Sequence, residues 1–180
     1  MSDDDALANN PGISESALAE LHDQLFGWAL SRCNHKREAA EDLMQQTYVE
    51  LLTGKAVFEQ RSSLKTFVFS VVQNLSRARF RRLSARFRMT QKLALNDTEQ
   101  VAGLALDTDT SAIWQSVQML PGRQRDVIEL VFCREMTIEE AASVMSVSVG
   151  TARVHYDRAK KKLRQRMDGG LADNMPGDDL

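Results

Sequence analysis

Residues 137–166 read TIEEAASVMSVSVGTARVHYDRAKKKLRQR, and this stretch decides the fold. Thr137 is placed to cap a first helix while Glu140, three residues on, reaches back to the open backbone amide. That reciprocal pairing is a capping box. Ser146-Val147-Ser148 interrupts the pattern, and Ser148 stands where it can cap a second helix starting at Val149. Along that helix Ala152, Tyr156, Ala159 and Leu163 recur at helical spacing as one apolar stripe. The remaining faces carry Arg153, Arg158, Lys160, Lys161, Lys162, Arg164 and Arg166 against a single acid, Asp157. A short helix, a tight turn and a cationic second helix form a helix-turn-helix, a device that enters the DNA major groove. A solvated basic helix on an ordinary helical bundle is the competing reading of these residues alone.

Charge along the rest of the chain favours the nucleic-acid reading. The net charge of −2 over 180 residues conceals strong segregation. Residues 1–23 hold six acids and no Lys or Arg, whereas residues 61–92 hold nine bases and no acid. Residues 96–110 reverse sign with Asp97, Glu99, Asp107 and Asp109 unopposed. Solvated helix faces mix both signs, so two cationic segments separated by an anionic one imply two surfaces facing a polyanion.

Apolar periodicity predicts an all-α chain of two small helical domains joined by a linker. Ser14 to about Cys33 places Leu18, Leu21, Leu25, Trp28 and Ala29 on one face, and Lys36–Thr53 does the same with Ala40, Leu43, Thr47 and Leu51. Gly54 is placed to end the second helix. After the loop GKAVFEQR, a long third helix is expected from near Ser62 toward Met89, its buried stripe running from Leu64 and Phe67 to Leu75. Beyond Leu75 arginines replace the stripe. Residues 93–110 read as an acidic linker, and helices resume at about Ser111–Met119 and Arg123–Arg134. Residues 1–13 and 169–180 are expected to be disordered acidic tails.

Several function classes lack support. The chain has no apolar run near the roughly 18 residues needed to span a membrane, and MSDDDALANN has no charged-then-apolar export signal. The expectation is a cytoplasmic protein. Cys33 and Cys133 are read as reduced thiols, with no closely spaced Cys/His set for a metal. No catalytic motif and no cofactor site is expected. Glu41 with Asp42, and Glu139 with Glu140, are sequence neighbours about 100° apart around a helix, which is no geometry for an acid/base pair.

Two blocks resemble a known family. Residues 38–82, with EAAEDLMQQTYVELL, a Phe-containing loop and SSLKTFVFSVVQNLSRARFRR, resemble region 2 of extracytoplasmic-function (ECF) sigma factors of the sigma-70 family. Residues 119–163 are similar to region 4, through Leu120-Pro121 with Arg123-Gln124-Arg125, Glu139-Glu140-Ala141-Ala142, Ser148-Val149-Gly150-Thr151 and Arg158-Ala159 with Lys161-Lys162-Leu163. The resemblance implies region 2 over 14–92, the linker over 93–110 and region 4 over 111–168. It implies an alternative sigma factor that binds bacterial RNA polymerase core through the β′ clamp and β flap, directs it to promoter DNA, and is held by an anti-sigma factor.

By the same resemblance, Glu41, Asp42, Gln45, Gln46 and Tyr48 would contact polymerase, although an exposed amphipathic face explains them equally. Phe58, Arg61, Ser62 and Ser63, with Asn74, Arg77, Arg81 and Arg82 on the third helix, would meet the −10 element. Melting wants aromatic pockets beside cations, yet Phe58 and Phe67 are alternatively core residues. Phe67 and Ala78 stand where the family has tryptophan and commonly an acid. Ser148, Gly150, Thr151, Arg153, Val154, His155, Arg158 and Lys161 would face the −35 element, with Arg153 the candidate base reader. Tyr156 is expected to pack. His155 is either a pH-sensitive contact or a surface residue without a role. Ala152, Val154 and His155 depart from the family pattern, so promoter preference does not carry over. Two rivals are a stand-alone LuxR-type helix-turn-helix regulator and a sigma-mimicking decoy for an anti-sigma protein.

Overall fold

The computed structural model describes residues 6–91 and 110–172, with side chains over 7–86 and 113–166. The chain divides into two units, 1–101 and 102–180. The expected linker lies outside the described residues except for Thr110, as do residues 1–5 and 173–180.

The first unit opens with a hairpin where a disordered tail was expected. β1 (Ala6–Leu7) pairs antiparallel with β2 (Asn10–Ser14), Ala6 lying opposite Ser14 and Leu7 opposite Asn10. The reason is burial: Leu7 and Ile13 are core residues, and Asn10 is 2% exposed. Ser14 then caps α1 (Glu15–Arg32) by accepting the Ala17 amide at 3.2 Å. Asn34 and His35, both at positive φ, reverse the chain into α2 (Arg37–Leu52). α2 has no side-chain cap at its N-terminus, where Glu38 in the first turn supplies the negative charge that the open amides favour. α3 (Leu64–Gln91) starts at Ser63, whose hydroxyl accepts the Thr66 amide at 3.1 Å.

The three helices pack on the expected stripes. Leu18, Leu25, Trp28 and Ala29 of α1, Ala40, Leu43, Thr47 and Leu51 of α2, and Val68, Val71 and Val72 of α3 are buried. Thr47 is satisfied inside by donating to the Leu43 carbonyl at 2.8 Å. Phe69, which lies beside the stripe, is fully buried against Trp28, their rings 6.1 Å apart. Beyond Leu75 the core ends while the helix continues, leaving Phe80 and Leu83 exposed among the arginines.

The second unit holds α4 (Thr110–Gln118), α5 (Gly122–Ile128), α6 (Ile138–Met145) and α7 (Val149–Ala172). The single helix expected over Arg123–Arg134 instead changes register into a π turn, Glu129–Cys133. The Arg134 amide donates to the Glu129 carbonyl five residues back at 3.2 Å, and the Arg134 side chain pairs with the Glu129 carboxylate at 3.4 Å. Both side chains are largely buried, so the pair closes the turn from inside. The capping box forms as predicted: Thr137 Oγ1 accepts the Glu140 amide at 3.1 Å, and Glu140 accepts the Thr137 amide at 2.9 Å. Ser146, in the left-handed region at φ 53°, ends α6. Replacing Thr137 with Ala should cost about 1 kcal/mol of stability, read as a lower urea midpoint at unchanged slope.

α7 continues past residue 168, through Ala172, where the acidic tail was expected to begin. Val117, Leu120, Ile128 and Ala159 form a core cluster, with Trp114, Tyr156 and Leu163 packed against it. Among the described residues no helix is long and apolar enough to cross a membrane.

Candidate nucleic-acid interface

In the first unit the loop after α2 and the solvent face of α3 carry the predicted −10 residues. Phe58 is half-buried against Phe67, their rings 5.1 Å apart, so both aromatics form a shelf at the edge of the core. Arg61 is exposed and pairs with Glu59 at 3.0 Å. Ser62 is exposed, whereas Ser63 is engaged in capping α3. Asn74, Arg81 and Arg82 are exposed and Arg77 is half-buried. At 100° per residue, Asn74, Arg77 and Arg81 lie within about 60° on one side of α3, with Arg82 flanking them.

Arg79, four residues before Leu83, serves a different purpose. Its guanidinium donates to the Ala39 carbonyl at 3.1 Å and approaches the Asp42 carboxylate at 3.7 Å, tying α3 to α2. Charge along the sequence does not distinguish it from the exposed Arg81 and Arg82. The same tie engages Asp42, one of the residues expected to contact polymerase. Glu41 pairs with Arg37 at 2.8 Å, Gln46 donates to Glu50 at 3.2 Å, and Gln45 is exposed. Tyr48 is half-buried, with its hydroxyl 2.8 Å from His22 Nδ1, and burial raises its pKa. Four of the five therefore lie on the open side of α2, and Tyr48 faces α1.

In the second unit α7 presents a continuous cationic face opposite its buried stripe. Ala152 and Ala159 are fully buried, and Tyr156 stacks on Phe132 at 6.0 Å under the Lys160 ammonium. Tyr156 packs against the core, as expected. Gly150, Arg153, Val154, Arg158 and Lys161 project on the other side and are exposed. Ser148 caps the helix by accepting the Thr151 amide at 3.1 Å, and its hydroxyl meets that of Thr151 at 2.8 Å. Arg153 rests against Glu139 of α6 at 3.5 Å, a pair roughly 60% exposed on each side. Such a surface pair is weak, so Arg153 can exchange Glu139 for another acceptor at little cost. His155 is half-buried at the margin of the face, its Nδ1 without a protein partner among the described residues.

Supporting contacts hold α7 in place. Arg123 donates to the Met145 carbonyl at 3.0 Å, closing the end of α6, and Arg166 donates to the Ser116 carbonyl at 2.8 Å. Cys33 and Cys133 are free thiols. Burial pushes both upward in pKa, and the nearby Arg79 and Arg32 only partly oppose this at Cys33. Both stay protonated at neutral pH. No grouping of metal-ligating side chains occurs among the described residues.

Comparison with known proteins places both units. The family profile described as sigma-70 region 2 matches residues 18–86, and that described as sigma-70, region 4 matches residues 110–163. The chain belongs to the sigma-70 family. The two regions in one chain make it an alternative sigma factor of the ECF type, a DNA-binding specificity subunit that directs promoter recognition in transcription initiation. Relatives include the ECF RNA polymerase sigma factor EcfG of Rhodopseudomonas palustris, 24% identical over 98% of this chain and 90% of the relative. The ECF RNA polymerase sigma factor SigW of Bacillus subtilis is 22% identical over 92% of this chain and 90% of its own length. Among solved structures, the sigma factor RpoE of Bartonella quintana, crystallised with the anti-sigma factor NepR, shares the fold at TM-score 0.68 and 22% identity, covering 86% of this chain and 96% of that one.

What the sequence missed in this sigma factor is the hairpin before region 2. Asn10 donates to the Leu51 and Ala56 carbonyls at 2.6 and 2.9 Å and accepts the Phe58 amide at 2.8 Å. The available signal was Asn9-Asn10-Pro11-Gly12, a turn composition inside a segment read for charge alone.

Proposed function

We propose that this sigma factor joins bacterial RNA polymerase core, reads the −35 element with α7 and captures the melted −10 element between the Phe58 loop and α3. The observation that carries this reading is the pair of exposed cationic helix faces, each backed by its own apolar core. Phosphate contacts supply most of the affinity, and a few base contacts supply the choice of promoter. Arg153 is the base reader, able to grip guanine O6 and N7. Lys161 and Arg158 neutralise phosphate beside it. Ser148, Gly150, Thr151, Val154 and His155 complete that face. In region 2, Asn74, Arg77, Arg81 and Arg82 meet bases and backbone, while Arg61, Ser62 and Ser63 line the loop.

Glu41, Asp42, Gln45 and Gln46 form the polymerase-facing side of α2, Tyr48 borders it on the side toward α1, and region 4 engages the β flap. The likeness to RpoE, solved with NepR, supports an anti-sigma partner for this chain as well. The protein acts in the cytoplasm as a specificity subunit and has no catalytic activity of its own. A LuxR-type regulator would lack region 2, and a decoy would have no use for two cationic DNA faces.

In vitro transcription with bacterial core on a random promoter library tests this directly. The expected result is a transcript set sharing one two-part promoter. Failure to join core overturns the reading, and joining core without starting any transcript favours the decoy. Replacing Arg153 with Ala should cost about 1–3 kcal/mol at the base pair it reads and little elsewhere. An equal loss on every upstream sequence would make it a phosphate contact.

A further inference from the structure

The hairpin ahead of region 2 lies before the matched family segment, which begins at residue 18. We propose that it is a clasp that sets the −10 capture loop, with Asn10 as the positioning residue. The inference rests on the assignment of that loop made above.

The physical case begins at the end of α2. The last carbonyls of a helix have no partner within it and need one from outside. Asn9 Nδ2 donates to the Leu52 carbonyl at 2.6 Å, and Asn10 Nδ2 donates to the Leu51 carbonyl at 2.6 Å. Two consecutive side-chain amides, 43 and 41 residues upstream of their acceptors, thus cap the C-terminal end of α2. Asn10 goes further. Its second amide hydrogen reaches the Ala56 carbonyl at 2.9 Å, and its oxygen accepts the Phe58 amide at 2.8 Å. One buried side chain therefore grips the loop on both sides of Val57. A primary amide is the side chain that can do this, since it offers two donors and an acceptor in one plane.

Close approach completes the clasp. A Cβ on Gly12 would stand 2.9 Å from Gln60 Nε2 and 3.3 Å from Phe58 Cδ1, so the hairpin backbone lies directly against the loop. Gly54, at φ +68°, turns the chain out of α2 where its own Cβ would meet Asn9 Cβ at 3.0 Å. Leu7 and Ile13 anchor the hairpin in the core. The path of the loop from Gly54 to Gln60 is thereby dictated by residues 9–12. Asn10 touches no nucleotide in this scheme; it acts by holding Phe58 on its shelf over Phe67.

The test uses full-length chain assembled with bacterial core polymerase. Wild type, Asn10→Ala and Gly12→Ala are compared for three quantities: assembly with core, affinity for duplex bearing the upstream element, and the preference for the correct over a mismatched base in a single-stranded −10 oligonucleotide. Removing the buried hydrogen bonds of Asn10 should lower the single-strand preference about tenfold, with assembly and upstream affinity within about twofold of wild type. Gly12→Ala keeps every Asn10 bond but presses on Phe58 and Gln60, and it should lower the same preference. A wild-type preference matched by both variants overturns the clasp. A parallel fall in all three quantities for both variants also overturns it, because it reduces the hairpin to a structural support. If wild type itself shows no single-strand preference, the assignment of the loop fails, and that outcome is distinct from either of the others.

Discussion

Replacing Arg81 and Arg82 together with Ala should weaken promoter binding and flatten its dependence on salt. Each neutralised phosphate contributes about 0.9 to the slope of log K against log salt on duplex DNA and about 0.7 on single strands. Loss of two contacts should therefore lower the slope by roughly 1.8 or 1.4, depending on which form α3 meets. Both side chains are exposed on a helix that has left its core, so their removal should not unfold region 2. Arg79 supplies the control. It is bound to the Ala39 carbonyl and to Asp42, so Arg79→Ala should destabilise the α2–α3 packing while changing the slope little. Filter binding of the holoenzyme at several salt concentrations separates the two. Equal slope changes for Arg79→Ala and for either of the other two arginines would sink the distinction drawn between them.

A second large effect is expected in the core. Trp28→Ala should cost about 3–5 kcal/mol, a substantial part of the 5–15 kcal/mol that stabilises a typical domain. Trp28 is fully buried, packs on Phe69, and carries the Arg32 guanidinium 4.1 Å above its ring. Its Nε1–H has no protein acceptor among the described residues. Trp28→Phe removes that unsatisfied donor and should therefore cost far less than Ala. Urea unfolding followed by circular dichroism reads both. The unit bearing α4–α7 has its own core cluster around Leu120 and Ile128, so its transition should not move. A single shared transition shifting with Trp28 would contradict the independence of the two cores.

Much of this architecture was legible because the relevant forces act between residues three or four apart. Thr137 and Ser148 cap their helices through the predicted hydroxyls, and Ser14, read only as a helix start, caps α1 in the same way. The stripes of α1, α2, α3 and α7 turn inward where the periodicity put them, with Leu21, Leu64, Phe67, Leu75, Tyr156 and Leu163 half-buried and the rest buried. Among the candidate site residues, the exposed faces of α3 and α7 were legible for the same reason: a residue opposite a buried stripe faces water.

Other features were not legible from local pattern. The π turn at Glu129–Cys133 depends on a buried pair between Glu129 and Arg134 that periodicity does not weigh. Arg79 and Arg81 look equivalent in the sequence, yet one is spent on α2 and the other is open to solvent.

Helix positions, caps and the two cationic blocks thus follow from neighbours along the chain, where spacing and charge carry the whole signal. The acidic start of the chain is the opposite case. Asn9 and Asn10 find their acceptors more than 40 residues away, at a helix end and a loop that exist only once the bundle has formed. Hydrogen bonds of that reach leave no period in the sequence, so the partnership between the hairpin and the loop came into view only with the folded chain.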